Sequence, residues 1–168
     1  MKKGFILFLY ILICINLISC TFIEKIHNDT VIPNNVFDNI IQKNVELESL
    51  KPNFGGKVFC DYMVIDSEKD DDTIKIYLNL YAQEYYLKNN ELTKGTGSIS
   101  PAVLTVKEEN GEYLFLTCNI SKEEETKDSI KNFPKKVQKK FLKYGGKLNW
   151  QSTKSNEDRA SEYFKLDN

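Results

Sequence analysis

Few residues in this chain have the types and spacings that metal or phosphate chemistry requires. The acidic turn at 66–72 has the charge of a calcium loop, but it lacks glycine at the sixth position and has Tyr77 at the twelfth. A calcium loop needs a bidentate glutamate there. The segment 95–98 (GTGS) matches only part of a phosphate loop, because the third glycine and the closing lysine are missing. We interpret the first segment as a solvated hairpin loop and the second as a bulge or kink in a strand.

The sequence also offers no nucleophile with a neighbouring base that could activate it. The single histidine, His27, lies in a polar segment near the amino terminus, and no G-x-S-x-G motif occurs. A serine or cysteine in the folded part of the chain therefore has no histidine to activate it. We expect no catalytic residue, no metal and no cofactor, and we predict that the protein is not an enzyme.

The amino terminus has the features of an export signal in their required order. Two lysines follow Met1, an apolar stretch covers 4–15, and the segment Leu17-Ile18-Ser19-Cys20 closes it. These 20 residues resemble the signal and lipobox of bacterial lipoproteins. The resemblance implies that 1–19 are a signal peptide and that the Cys20 thiol receives a diacylglyceryl group. Its new amine then becomes available for acylation, for example with palmitate. The mature protein would be held by this lipid at the extracytoplasmic face of the cell membrane.

Two alternatives to the lipobox remain open. Residues 4–23 nearly reach the roughly 20 apolar residues of an uncleaved membrane-spanning helix, although Asn16 and the polar break at 19–21 argue against one. Cys20 could also be an ordinary thiol, but this region offers no other small-residue cleavage pattern. We favour the lipoprotein interpretation.

Composition excludes nucleic acid as a partner. The chain has 168 residues with 23 Lys and Arg against 24 Asp and Glu. Removal of 1–19 takes Lys2 and Lys3, which leaves 149 residues, the usual size of one domain, and a charge near −3. Arg159 is the only arginine, so the planar fork that recognises phosphates and base edges is almost absent.

The mature chain divides into three parts by pattern. We predict a lipid anchor and tether over 20–35, an α+β domain over 36–148, and a polar tail over 149–168 that wraps loosely or frays. The domain begins with a helix capped by Asn35, because apolar residues recur at helical spacing up to Leu50 before Pro52 stops it. These apolar residues are Phe37, Ile40, Ile41 and Val45.

Four strands follow, rich in β-branched and aromatic residues, at 58–65, 73–87, 92–107 and 113–120. They predict a four-stranded antiparallel meander sheet. Two-residue turns at Asn110-Gly111, the stronger signal, and at Asn89-Asn90 place Val103 opposite both Ile76 and Cys118. One face is then a core face that needs a helix against it. Its members are Ile74, Ile76, Leu78, Leu80, Ile99, Val103, Leu114, Leu116, Cys118 and Ile120.

The opposite predicted face is rich in tyrosine. Its members are Tyr77, Tyr81, Tyr85, Leu104, Val106, Tyr113 and Phe115. Such a face is either a recognition surface for a protein or small molecule, or a second core layer under the carboxy-terminal segment or a second subunit. Tyrosine suits both roles, because its ring packs while its hydroxyl reaches water or a ligand. We take Tyr77, Tyr81, Tyr85, Tyr113 and Phe115 as the candidate ligand or partner face.

A basic amphipathic helix completes the predicted domain. Ile130, Phe133, Val137, Phe141 and Tyr144 recur at helical spacing, with lysines between them, Pro134 in the first turn and a glycine pair at the end. Its lysines either attract anionic lipid or cell-wall polymer, or they form the solvated side of a docked helix. We favour the docked helix.

Two cysteines remain after processing, because Cys14 leaves with the signal peptide and Cys20 is lipidated. In an oxidising compartment, Cys60 and Cys118 have the count for one disulfide. In a simple meander, however, the first and fourth strands lie about 14 Å apart, whereas bridged Cα atoms lie within roughly 7 Å. We therefore favour two buried free thiols, provided that the strands follow this order.

The body of the chain resembles uncharacterised secreted domains of low-GC Gram-positive bacteria. The resemblance is carried by residues from Val58 to Gln138, including the tyrosine pair at 85–86, the turn at 110–111 and the segment 133–138 (FPKKVQ). It covers about half the chain and implies no activity. The helix followed by a four-stranded sheet is also similar in outline to cystatin-like and NTF2-like folds. The Q-x-V-x-G loop with which cystatins inhibit proteases is missing, so that activity does not carry over.

Three functional hypotheses follow, in this order of preference. The first is a surface-tethered binding module that uses the tyrosine-rich face. The second is a structural or assembly lipoprotein whose tyrosine-rich face is buried in a partner or under its own tail. The third is a hydrolase, which would require polar groups that converge in a pocket.

Overall fold

The computed structural model describes residues 32–122, 126–144 and 150–165. Over these ranges the chain has an amino-terminal helix, an open four-stranded antiparallel sheet and carboxy-terminal helices. The fold class is therefore α+β, as the sequence predicts. The first described residue, Ile32, is already buried in the core, so the folded part begins before the predicted start at 36.

The amino-terminal helix forms where the apolar spacing predicts it. Helix α1 (Asn34–Ile40) continues through a π-helical turn (Ile41–Val45) into α2 (Glu46–Ser49). All four apolar residues of the predicted stripe are buried. The start differs, because Pro33 occupies the N-cap position without a side-chain hydrogen bond, whereas Asn35 was the predicted cap. The π turn was not predicted from the apolar spacing.

The sheet is the predicted meander. Its strands are β1 (Lys57–Asp70), β2 (Thr73–Lys88), β3 (Glu91–Glu109) and β4 (Glu112–Ile120), in the order β1-β2-β3-β4. Both predicted turns are present with positive φ at their two central residues: 54° and 65° at Asn89 and Asn90, and 54° and 82° at Asn110 and Gly111. These are the dihedral signs of type I′ hairpin turns.

The sheet has three register shifts, one in each pair of strands, and the two that involve β3 change which of the predicted residues share a face. Between β2 and β3 the register shifts by one residue beside Glu84, so that Ile76 pairs with Leu104 rather than with the predicted Val103. Between β3 and β4 it shifts again at Leu116, and Leu104 pairs with Cys118. Because side chains alternate along a strand, each one-residue shift moves the residues beyond it to the other face.

The predicted core face is therefore correct for β2 and wrong for most of β3 and β4. Ile99, Leu114 and Leu116, which were predicted in the core, are about half exposed. Leu104 and Val106, which were predicted on the tyrosine-rich face, are fully buried in the core instead. Cys118 and Ile120 remain on the core side, as predicted, because the two shifts cancel for the end of β4.

We call the side of the sheet that packs on α1 and the π turn the first face. Its core joins apolar residues of the helix to alternate residues of β1, β2 and β3. The buried members are Ile32, Phe37, Ile40, Ile41, Val45, Val58, Cys60, Tyr62, Ile74, Ile76, Leu78, Leu80, Ala82, Ala102, Leu104 and Val106. Burial of this apolar area is the main source of stability in the domain.

Carboxy-terminal helices cover part of the other side, which we call the second face. Helix α3 (Thr126–Ser129) leads to α4 (Lys135–Tyr144), which begins directly after Pro134, so this proline precedes the helix rather than lying in its first turn as predicted. Val137 and Phe141 of α4 are buried, and Lys140 Nζ lies 2.9 Å from the Asp66 carboxylate of β1. This confirms a docked helix. An attraction of its lysines to lipid remains a prediction.

The segment 149–168 was predicted to be a loose polar tail, and this prediction was wrong for most of it. Residues Trp150–Tyr163 form helix α5, which packs on β1 and β2. Asn156 and Ala160, four residues apart, are fully buried on one side of this helix. The segment was misjudged because α5 buries an amide and a methyl group where an amphipathic helix usually buries larger apolar side chains.

The bulge in β3 surrounds a buried carboxylate. Glu84 is fully buried, and its oxygens accept hydrogen bonds of 2.8–3.2 Å from the backbone amides of Asn53, Phe54, Gly56 and Thr96. Glycine is required at 56, since a Cβ there would lie 2.2 Å from the carbonyl oxygen of Tyr85. The segment 95–98 is thus a bulge, as predicted, and its role is to donate to a carboxylate.

Because of Glu84, the free energy of unfolding of the domain should decrease at acidic pH. Burial alone raises the pKa of this carboxyl, but the four amide donors outweigh burial and hold its pKa at about 2. The unfolded value is near 4.5. Because the folded pKa is the lower one, this stabilisation is complete above pH 4.5 and is lost as the pH falls towards 2.

We therefore expect Glu84→Gln to lower the free energy of unfolding at pH 7 by about 2 kcal/mol. The same change should flatten the loss of stability between pH 4.5 and 2 in urea unfolding. Asp66→Asn is a second variant for comparison, because the pKa of the Asp66 carboxyl is also lowered, but mainly by its ion pair with Lys140. An acid profile that Glu84→Gln leaves unchanged would contradict this assignment.

Candidate functional site

The three candidate tyrosines of β2 lie on the second face, but two of them are buried. The ring of Tyr77 packs 5.2 Å from that of Phe133, and its hydroxyl donates to Glu68 Oε2 at 2.9 Å. Burial, and then the Glu68 carboxylate, raise the pKa of Tyr77 to about 12. Tyr77 is therefore a covered packing residue that stays protonated at neutral pH.

Tyr85 is buried more completely than Tyr77. Its side chain is 0% exposed, and its ring lies 5.9 Å from the ring of Phe59 in a small cluster with Ala160 of α5. Leu92 and Phe164 pack against this cluster. The Tyr85 hydroxyl is buried without a hydrogen-bond partner, and burial raises its pKa above the ordinary value of 10. The chain's own carboxy-terminal helix thus covers this part of the predicted recognition face.

Tyr81 is the member of the β2 series that keeps some access to solvent. It is half-buried, and its hydroxyl donates to Gln83 Oε1 at 3.1 Å. Gln83 in turn donates to the carbonyls of Gly95 and Thr96 at 3.0 and 3.1 Å, which anchors the bulge. Tyr81 therefore takes part in a structural hydrogen-bond chain.

Tyr113 and Phe115 do not lie with the other three tyrosines. Phe115 pairs with Val106, and both aromatic residues pack against the core of the first face. The prediction of one five-residue face was wrong, because the bulge beside Glu84 moves this part of β3, and β4 with it, to the first face. The five candidate residues are divided between two layers.

The described residues also form a small polar cavity at the edge of the sheet, which we call the β1 groove. Its volume is about 100 Å³. Three elements meet there: α1 with the π turn, β1, and α5. They contribute Asp38, Ile41 and Gln42, then Cys60, Asp61 and Tyr62, and finally Ser155 and Arg159.

An ion pair closes the edge of β1 beside this groove. Arg159 Nη1 donates to the carbonyl oxygen of Cys60 at 2.9 Å, and the Cys60 amide donates to Glu46 Oε1 at 3.0 Å. Arg159 Nη2 donates to the same Glu46 oxygen. β1 is an edge strand, so these side chains occupy positions that a neighbouring strand would take. The pair links α2, β1 and α5 and blocks strand addition at this point.

The carboxylates of the groove already have partners. Tyr62 Oη donates to Asp38 Oδ1 at 2.5 Å, and the Tyr62 amide donates to Asp61 Oδ1 at 2.8 Å. Burial, followed by the Asp38 carboxylate, raises the pKa of Tyr62 well above 10. The groove is therefore a hydrogen-bonded junction between the two helical layers, and its tyrosine is a donor rather than an acid.

The two cysteine thiols of the described residues are not activated as nucleophiles. Cys60 and Cys118 are both free, as predicted. Burial raises the pKa of Cys60 to about 12 and that of Cys118 to about 11. The thiolate is the nucleophile, so neither sulfur is activated at neutral pH. Cys60 Sγ instead lies 3.0 Å from Ser49 Oγ.

Sequence reasoning missed the residues that join the layers, namely Glu46, Glu84 and Arg159. Glu46 and Arg159 are 113 positions apart, and no local pattern brings them together. One signal was available, since Arg159 is the only arginine of a lysine-rich chain. A planar guanidinium can donate to a carboxylate and a carbonyl at once, which a lysine does less well.

Across 32–122, 126–144 and 150–165, no group of three His, Cys, Asp or Glu residues is placed to hold a metal. In the same ranges, no helix is long and apolar enough to cross a membrane. Comparisons with protein-family models, curated proteins and solved structures found no match. Cys20, His27, the predicted signal peptide and residues 20–31 of the predicted tether lie outside the described residues, whereas 32–35 belong to the described domain.

Proposed function

We propose that this chain is a lipoprotein held at the extracytoplasmic face of the cell membrane by a lipid on Cys20. We further propose that its α+β domain serves as a structural scaffold in a surface assembly. The observation that carries the anchoring is the segment Leu17-Ile18-Ser19-Cys20 directly after a charged start and an apolar stretch.

The start of the folded domain agrees with this anchoring. Ile32 is buried in the core, so at most eleven residues, 21–31, separate the domain from the lipidated cysteine. An extended segment of this length spans up to about 40 Å. An anchor on Cys20 would thus keep the start of the domain within about 40 Å of the membrane surface.

The packing of the second face favours a scaffold over an open binding module. Tyr77 and Tyr85 are buried under the chain's own helices, and the Glu46–Arg159 pair closes the sheet edge. The thiols are protonated, and the carboxylates of the β1 groove are engaged within the protein. A binding module that uses Tyr85 would first have to move α5.

Substitution of the anchoring cysteine tests the first half of the proposal. In cells, Cys20→Ser should abolish incorporation of labelled fatty acid and leave the full precursor unprocessed by the lipoprotein signal peptidase. Cys14→Ser is the matched control, because it changes a cysteine inside the apolar stretch and should be lipidated normally. Mass spectrometry of membrane-extracted protein that finds an unmodified Cys20 would refute lipid anchoring.

A further inference from the structure

Helix α5 is attached to the sheet by a thin apolar layer. Among the described side chains, the buried members of that layer are Phe59, Tyr85 and Ala160, with Leu92 and Phe164 partly buried against them, whereas sixteen buried residues form the core of the first face. Helix α4, on the same second face, buries Val137 and Phe141 and has Phe133 just before it. Among the described side chains, α5 itself fully buries only the apolar group of Ala160, against Val137 and Phe141 of α4, so this apolar burial should contribute less free energy of docking to α5.

The layer beneath α5 also contains polar atoms that lack partners. Asn156 is 0% exposed, yet neither its amide nitrogen nor its amide oxygen makes a hydrogen bond in the structure. The hydroxyl of Tyr85 is likewise buried and unpaired. Buried polar groups are normally satisfied, because burial removes their hydrogen bonds to water. Water would satisfy both groups if α5 moved away, so the docked position is penalised.

Charged side chains offset this penalty. Arg159 reaches from α5 to the Cys60 carbonyl and to the buried carboxylate of Glu46, and it lies 5.3 Å from the centre of the Phe59 ring. The remaining charged contacts are more exposed: Glu157 pairs with Lys94 at 2.9 Å, and Lys57 Nζ lies 4.4 Å over the Tyr163 ring. Exposed pairs contribute little, so Arg159 is the principal charged attachment among these contacts.

We propose that α5 detaches from the sheet as a unit while the rest of the domain stays folded. Arg159 holds the helix in its docked position. Opening uncovers Phe59 and Tyr85 and frees the outer carbonyl of Cys60 at the edge of β1. Of the five residues predicted as a recognition face, Tyr85 is thus exposed in the open form and covered in the closed one. This device goes beyond the scaffold role and does not depend on whether Cys20 carries lipid.

Native-state hydrogen exchange, read by mass spectrometry on the full folded domain, measures this opening directly. We expect α5 amides to exchange at least tenfold faster than those of α4 and β2, because opening of α5 alone requires less free energy than global unfolding. Arg159→Ala should speed α5 exchange a further tenfold or more. Asn156→Leu, which replaces the unpaired amide with an apolar group of similar size, should slow it about tenfold.

One control variant and a second variant at Asn156 complete the test. Lys94→Ala breaks the exposed pair with Glu157 and should change α5 exchange by no more than about twofold. If Asn156→Leu packs poorly, Asn156→Ala removes the same unpaired amide with less crowding and should also slow exchange. Exchange of α5 at the rate of β2 in the unaltered domain would overturn the proposal. So would unchanged or faster α5 exchange in both Asn156 variants.

Discussion

Replacement of Tyr85 by alanine should lower the free energy of unfolding by about 3–5 kcal/mol. The ring is fully buried between Phe59 of β1 and Ala160 of α5, so its removal leaves a cavity that the surrounding backbone can fill only in part. Urea unfolding of the purified domain measures this loss. A loss of this size is a large fraction of the total stability of an ordinary domain.

Two further variants separate the ring from its hydroxyl. Tyr85→Phe keeps the ring and removes an unpaired buried hydroxyl, so we expect it to be neutral or slightly stabilising. Tyr81→Ala removes a half-buried ring that is bonded to Gln83 and should cost less, about 1–2 kcal/mol. If Tyr85→Ala costs under 1 kcal/mol, the ring does not form a second core layer, and a binding role for this face regains priority.

The local pattern of the chain was sufficient to predict the first helix, the four strands and α4, but not the π turn or α5. Asparagine and glycine at 110–111 accept positive φ, so the hairpin between β3 and β4 could be placed from two residues. The apolar stripe from Phe37 to Val45 located the first helix, and Pro134 marked the start of α4. These features depend on neighbours a few positions apart, which a sequence displays directly.

The faces of the sheet could not be predicted in the same way. To assign a residue to a face, the pairing register must be followed through two hairpins. One extra residue in a strand then moves every later side chain to the opposite face. The bulge in β3 forms because the amide of Thr96 turns to the carboxylate of Glu84, which also binds a loop some thirty residues earlier. Such a tertiary contact leaves no periodic trace in the sequence.

The same reason explains why the β1 groove was missed. Its polar residues come from the first helix, the first strand and the last helix, and each looks like an ordinary surface residue in its own segment. Helix α5 was missed as a helix because the fully buried residues of its described part, Asn156 and Ala160, do not form an apolar stripe. The candidate tyrosines were identified as one aromatic face that was either exposed or covered, but the layer to which each belongs depended on the bulges.

The pair formed by Glu46 and Arg159 should be the other strong determinant of stability. Arg159→Ala should lower the free energy of unfolding by about 3 kcal/mol, because it leaves the buried Glu46 carboxylate with the Cys60 amide but without its cation. Arg159→Lys should recover only part of this loss. A lysine keeps the charge but cannot donate to Glu46 and to the Cys60 carbonyl in the same planar geometry.

A double-mutant cycle with Glu46→Gln tests whether the two side chains act as a unit. We expect a coupling energy above about 1.5 kcal/mol, since the contact is largely buried. The matched control is Lys69 with Glu108, an ion pair of 2.7 Å whose side chains are 44% and 31% exposed. There we expect a coupling below 1 kcal/mol, because water screens the charges and the long side chains lose entropy on pairing. Equal coupling in the two cycles would mean that burial does not strengthen the Glu46–Arg159 contact, and the closure of the β1 edge would need another cause.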